Sequence, residues 1–367
     1  MYTSIYVAAF LMDFINSSVS IALSLFLAEV RGSSALIIGL AGFVAGFSYT
    51  ATTFLKAHFF SNKRNRWFIY TPLGAGILYF LLFLVPVPVV LILLLFAGFL
   101  YGIFWPSIQY CFSGEAGQKK IGIFNLCWSG GIICGSFLAG HMYAFRPGAP
   151  FILALMLGLI AMSALSIQKK NISRLNSLPS GSSREIKAPL MGIIEIRLLS
   201  FFHLTVVGAI MFLFPKLGLE RSFSPQIIGI MFGTLLLCRF LTFAILRKKS
   251  ILLHRFSFLI SCFFFSAGCS LAGLSPHPVP ILAGMIIIGI TGAFSYHNSL
   301  ILHIKYNLPT EIHEGIIGAG LFLGPLLAGF LGYVLNIPSA FLIISILIFL
   351  AGLIHDIVKP KDSLKGI

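Results

Sequence analysis

The chain carries one pattern twice, 190 residues apart. Ser34 with Ile37-Ile38-Gly39 recurs as Ser224 with Ile227-Ile228-Gly229, and Gly102 and Phe104 recur as Gly292 and Phe294. Gly131, Gly135 and Ala139-Gly140 recur as Gly320, Gly324 and Ala328-Gly329, at an offset of 189. One register across three separated segment pairs divides the chain into two related halves. The same offset sets Asp13 against His203, an ionisable residue within an apolar stretch of each half.

Composition decides the medium. Of 367 residues, 58% are hydrophobic and 10% charged, with mean hydropathy +1.00. A soluble chain of this length needs far more surface charge. Apolar runs of roughly 20 residues, enough to cross about 30 Å of hydrocarbon, recur throughout. The alternating segments of about ten residues that build a membrane β-barrel are missing. The expected fold is an all-α polytopic membrane protein with twelve transmembrane helices in two pseudo-symmetric six-helix bundles. Twelve spans are predicted: 5–27, 36–59, 68–85, 89–112, 121–145, 151–167, 192–214, 226–246, 256–274, 280–303, 315–335 and 340–357. A Ser- and Gly-containing polar stretch separates residues 1–168 from 192–367, so 169–191 reads as a flexible linker between the bundles. The N-terminus lacks a basic leader, and its first apolar run reads as a transmembrane helix rather than a cleaved signal.

Charge then orients the chain. Twenty of the 25 lysines and arginines fall in loops on the side of the termini. Arg31, Arg146, Lys216 and Arg221 fall on the other side, and Arg239 lies inside a span. By the positive-inside rule both termini are cytoplasmic, and the expected location is a bacterial cytoplasmic (inner) membrane. The same bias accounts for the net charge of +15, with no basic-aromatic motif for nucleic acid. The six cysteines all sit in apolar segments without a CxxC, which suits small core residues.

Two related six-span halves, cytoplasmic termini and a polar linker resemble the major facilitator superfamily over nearly the whole chain. Between spans 2 and 3 that family has Gly-x-x-x-Asp-Arg-x-Gly-Arg. Here Asn62, Lys63, Arg64 and Arg66 keep the basic character, with His58, Asn62 and Asn65 replacing Gly, Asp and Gly. The resemblance implies a conformational loop, and a positive-inside anchor explains the same residues. Span 5 is similar to the family's antiporter pattern, with Gly122, Gly131, Gly135 and Gly140 in place, Ser136 for Pro and Ala139 for Gly. Span 11 carries Gly320, Gly324 and Pro325 in the same arrangement. Small residues four apart allow close helix approach, and in exporters that resemble this pattern the packing seals a leak. Gly98 stands where many drug:proton antiporters of the family carry arginine.

The resemblance also implies that spans 1, 4, 7 and 10 line a central cavity. Span 1 offers Asp13, Ser17, Ser20 and Ser24 on one helical face. Span 4 offers Tyr101, Trp105 and Gln109, span 7 His203, and span 10 Tyr296, His297 and Asn298. Asn125 and Trp128 on span 5 and Arg239 on span 8 complete the expected substrate cavity. Asp13 is the one carboxylate expected deep in a span. Burying its charge is costly, which marks it as a proton or cation site or as the partner of Arg239. His203 is either a proton relay or a hydrogen-bonding partner between helices. Arg239 either attracts an anionic solute or forms an ion pair. The segment Glu311–Glu314 reads as a solvated loop without the HExxH spacing of a zinc site.

These readings make the chain a secondary transporter of a small organic solute, working by alternating access as a proton-coupled exporter. A proton-independent facilitator, an importer, and a lipid-handling protein are the alternatives. No phosphate loop or nucleophile constellation points to an enzyme, no cofactor or metal is expected, and nothing demands an oligomer.

Overall fold

The computed structural model describes residues 2–59, 66–112, 120–167, 190–246, 258–305 and 310–358. All regular structure among them is helical. Half one comprises α1 (Tyr2–Glu29), α2 (Ala35–Phe59), α3 (Thr71–Leu84), α4 (Val87–Tyr110), α5 (Ile121–Phe145) and α6 (Ala149–Ile167), with a 3-10 turn at Arg66–Ile69. Half two comprises α7 (Leu190–Glu220), α8 (Pro225–Leu246), α9 (Phe258–Leu274), α10 (Pro278–Lys305), α11 (Thr310–Val334) and α12 (Ile337–Val358). Asn62, Lys63, Arg64 and nearly all of the expected linker lie outside the described residues. Arg66 opens the 3-10 turn.

Ten of these helices are long and apolar enough to cross a membrane. The two shorter ones, α3 and α9, are the third helices of their halves and so keep the repeat even in length. Several boundaries differ from expectation. The turn at Arg66–Ile69 delays α3 to Thr71, where Pro72 fits because N–H groups of a first turn have no intrahelical acceptor to lose. α7 runs on to Glu220 where 214 is expected, and α11 begins at Thr310, more than a turn before 315. Pro106, Pro215 and Pro325 lie inside α4, α7 and α11 without ending them. Neighbouring helices in a membrane bundle tolerate such breaks in the hydrogen-bond ladder.

The packing repeats as the sequence does. In half one α1 packs on α5, α2 on α4 and α3 on α6. In half two α7 packs on α11, α8 on α10 and α9 on α12. The halves meet through α2 against α11 and α5 against α8, a symmetric pair of seams, with α1 against α7 between them. Polarity is inverted relative to a soluble protein. Phe145, Ile167 and Val279 are exposed, while Asp13, His203 and Arg239 are buried.

Even the connections are duplicated. After α1, Gly32 takes φ +57°, and after α7, Ser222 takes φ 62°. Ser34 Oγ and Ser224 Oγ each accept the backbone N–H three residues on, at 3.4 Å, opening α2 and α8. Arg31 donates to the carbonyl of Val85 at 3.1 Å, just past α3. Arg221 donates to the carbonyls of Ala272, at 3.3 Å, and Gly273 in the last turn of α9. A cation there satisfies carbonyls that lack an intrahelical partner and complements the helix dipole.

Candidate functional site

The glycine series on α5 and α11 brings the helices around the site together. A Cβ on Gly131 or Gly135 would overlap the carbonyls of Phe10 and Phe14 on α1. On the other half, Gly320 and Gly324 stand the same way over the carbonyls of Phe201 and Thr205 on α7. Gly140 does the same across the halves against Pro225 of α8. Gly39 and Gly329 abut at the matching α2–α11 crossing, with Pro325 against Gly39, Gly42 and Gly208. At Gly98 no side chain fits, because the Ala45 carbonyl of α2 occupies the space. The arginine that many antiporters carry there is therefore sterically incompatible with this α2–α4 contact.

Asp13 sits near the middle of α1 and is 7% exposed. Tyr101 of α4 donates to the carbonyl of Met12 at 2.9 Å, and Tyr79 of α3 donates to Asn16 Oδ1 at 3.4 Å. The two rings, 6.1 Å apart, wall Asp13 within its own half. Arg239 of α8, 8% exposed, faces it from the other half. The charges of Asp13 and Arg239 interact, although the two groups form no direct ion pair. Tyr49 of α2 and Tyr296 of α10 also lie within electrostatic reach of Asp13. The guanidinium carbon of Arg239 stands 6.0 Å from the ring centre of Trp128 on α5. Trp128 Nε1 donates to Asn125 Oδ1 at 3.1 Å.

A second carboxylate joins this region. Glu314 of α11 accepts a hydrogen bond from Tyr49 at 3.2 Å and bonds the side chain of Gln109 on α4, so it ties half two to half one. Next to it, His313 Nδ1 is 2.8 Å from Ser299 Oγ, and its ring meets Tyr296 edge-on at 5.3 Å. The expected solvated loop at Glu311–Glu314 is thus corrected to the first turns of α11, with His313 buried and Glu314 at the contact between halves. Asp13 is not the sole carboxylate within the helices.

Several other expected cavity residues have local partners. Ser17 bonds the Ile132 carbonyl at 2.9 Å and Ser136 Oγ, so it faces the α1–α5 seam. The carbonyl of Ser20 accepts from Ser24 at 3.1 Å. Trp105 packs edge-on against Phe104 and Phe124, at 5.2 and 6.2 Å. Tyr296 and His297 both meet Phe243 of α8, at 5.6 and 6.3 Å, while Asn298 Oδ1 is buried without a partner. His203, fully buried, lies parallel to Phe265 of α9 at 5.7 Å. Its ring occupies the space that the missing side chain of Gly292 on α10 leaves open, and neither nitrogen has a hydrogen-bond partner. It packs within half two, and the charge of Arg239 reaches it as well as Asp13.

Among the described residues no group of three or more His, Cys, Asp or Glu is placed to hold a metal ion. Tyr49, Tyr79 and Glu314 are site residues that the sequence reading missed. Pro309 followed by Thr310 was the available signal for Glu314, since proline with a capping residue marks a helix start.

Two six-helix bundles with charged and aromatic groups converging on their interface define a secondary transporter, whose site lies between repeats. The chain belongs to the major facilitator superfamily, whose family model matches residues 5–313. No curated protein matches it. Solved structures share the fold at low identity. The nucleoside transporter NupG is 14% identical with a TM-score of 0.72, over 97% of this chain and 99% of that one. A POT family transporter in complex with 5-aminolevulinic acid is 12% identical with a TM-score of 0.76, over 98% and 96%. An inward-facing, occupied bacterial homolog to the human lysosomal transporter Spinster is 10% identical with a TM-score of 0.70, over 97% and 96%.

Proposed function

We propose that this transporter moves a small organic solute by alternating access, coupled to protons through Asp13, in the direction of export from a bacterial cytoplasm. The observation that carries the coupling is the pair Asp13 and Arg239. They are buried on opposite halves, within each other's field and without direct contact. Rocking of the halves changes their separation, so the charge state of Asp13 and the conformation must be linked. The halves alone account for the proposed boundaries, with residues 169–191 as the tether. Export rests on the resemblance of the α5 glycine series to exporter patterns.

A soluble solute is favoured over a lipid. The polar side chains converge between the halves, whereas the groove on the outer face between α3 and α4 is lined by Gly74, Ile77, Leu78, Phe96, Phe99 and Leu100. Structures sharing the fold include transporters of nucleosides and peptides, and both classes belong in the first screen.

The test is proton flux in liposomes holding the purified protein and an internal pH dye. Nucleosides, short peptides and other metabolites are added to wild type and Asp13→Asn. A solute-evoked proton signal that disappears in the variant is expected. Solute movement with no proton signal would make the protein a facilitator and Asp13 a structural group, and the gradient that drives accumulation reports direction.

A further inference from the structure

The chain contains an internal comparison for its buried arginine. Arg221 is held by two backbone carbonyls and Arg31 by one. Arg239 is more deeply buried than Arg31, at 8% exposure, and its guanidinium makes no hydrogen bond with the described residues. A buried guanidinium that makes no such hydrogen bond keeps its five N–H donors free for an incoming acceptor. Nearby groups do not fill that role. Asp13 acts on Arg239 through space only, and Glu314 already bonds Tyr49 and Gln109. Trp128 offers the guanidinium its ring and turns its own N–H to Asn125. The coplanar N–H fork of Arg239 is thereby left for an acceptor that the described residues do not supply.

We infer that the transported solute is acidic, and that its carboxylate or phosphate group binds Arg239 beside Trp128. A planar guanidinium matches two oxygens of either group through parallel hydrogen bonds, a geometry a lysine cannot reproduce. Trp128 and Tyr296, which come from opposite halves and both act on the same arginine, give the body of the solute aromatic surface. Because Arg239 belongs to half two and Trp128 to half one, a bound anion touches both bundles. An alternating-access site requires that property.

This inference rests on the transporter reading, and the experiment separates the two. Thermal stabilisation of the full-length protein in detergent is measured with benzoate, phenyl phosphate and benzamide, which share a flat ring and differ in charge. The set is extended to short aliphatic carboxylates and phosphates with their amides and alcohols. Wild type is expected to be stabilised by one or more anions and not by their neutral counterparts. Whether carboxylates or phosphates act identifies the acceptor group. Arg239→Gln should weaken that binding by about 10- to 100-fold, the loss of a charge-assisted hydrogen-bond pair. Arg239→Lys should recover only part of it. Should Arg239→Gln not fold, the wild-type comparison of each acid with its amide still decides. Equal stabilisation by acids and amides, or none by any acid, overturns the inference. If, in the liposome screen, wild type and Arg239→Gln move a neutral solute equally, the solute class is wrong and the transporter reading stands. If wild type moves no solute at all, the transporter reading itself fails.

Discussion

Asp13 and His203 occupy the same position in the two repeats, and their surroundings have diverged. Around Asp13, half one supplies Tyr79 and Tyr101, and the interface adds Tyr49, Tyr296 and Arg239. Around His203, half two supplies the flat face of Phe265 and the bare backbone of Gly292, with the charge of Arg239 acting through space. The scaffold that holds both residues is meanwhile preserved down to its turns, in the pairs Arg31 and Arg221, Gly32 and Ser222, Ser34 and Ser224. Duplication has kept the parts that fix helix ends and crossings. It has let the mid-membrane chemistry specialise, with a tyrosine-lined carboxylate in one half and a histidine packed on apolar groups in the other.

The strongest challenge to this comparison is to remove the two residues separately. Asp13→Asn should reduce gradient-driven transport in liposomes to background, a loss of roughly 100-fold or more if the proton-coupling step depends on it. His203→Phe, which keeps a flat ring on Phe265, should leave most of that transport intact. Equal losses in the two variants would mean the halves share the chemistry after all.

Packing comes next. Gly292→Ala places a methyl group inside the His203 ring, and overpacking of this kind costs about 1–3 kcal/mol. In the double variant Gly292→Ala with His203→Ala the cost should fall, because the ring that clashes is gone. Thermal unfolding in detergent measures both, and additive losses would refute the assigned contact.

Smaller effects test the preserved scaffold. Arg221→Ala frees two helix-end carbonyls and Arg31→Ala frees one, so both should destabilise, by about 0.5–2 kcal/mol, with Arg221→Ala the larger. The reverse order would show that the two turns are not equivalent. Ser222→Gly should stabilise slightly, by up to about 1 kcal/mol, because φ 62° is free of strain for glycine, as at Gly32.

Much of the architecture was legible because the bilayer enforces it. Apolar runs long enough to span, broken by Pro-Gly turns, leave little choice but helices, and a repeated register leaves little choice but two bundles. The glycines at positions 131, 135, 320 and 324 could be read as close crossings for the same reason, since small side chains four apart admit a neighbouring backbone. The boundary of α11 was misread because Glu311, His313 and Glu314 look like a wet loop. Hydropathy cannot register that Tyr49 and Gln109 of the other half are waiting for Glu314.

By itself the sequence determined the class of protein, the twelve crossings, the pairing of halves and the candidacy of Asp13, all consequences of local composition and of repetition along the chain. Only the tertiary structure decided which polar groups meet. Ser17 shares a helical face with Asp13 and yet bonds α5, while His203 shares its repeat position and yet faces Phe265. Helices that are apolar nearly all round carry no stripe to say which neighbour each face will meet. The partners of a buried charge are therefore set by how helices far apart in sequence pack, as Arg239 of α8 and Trp128 of α5 do across the interface between the halves.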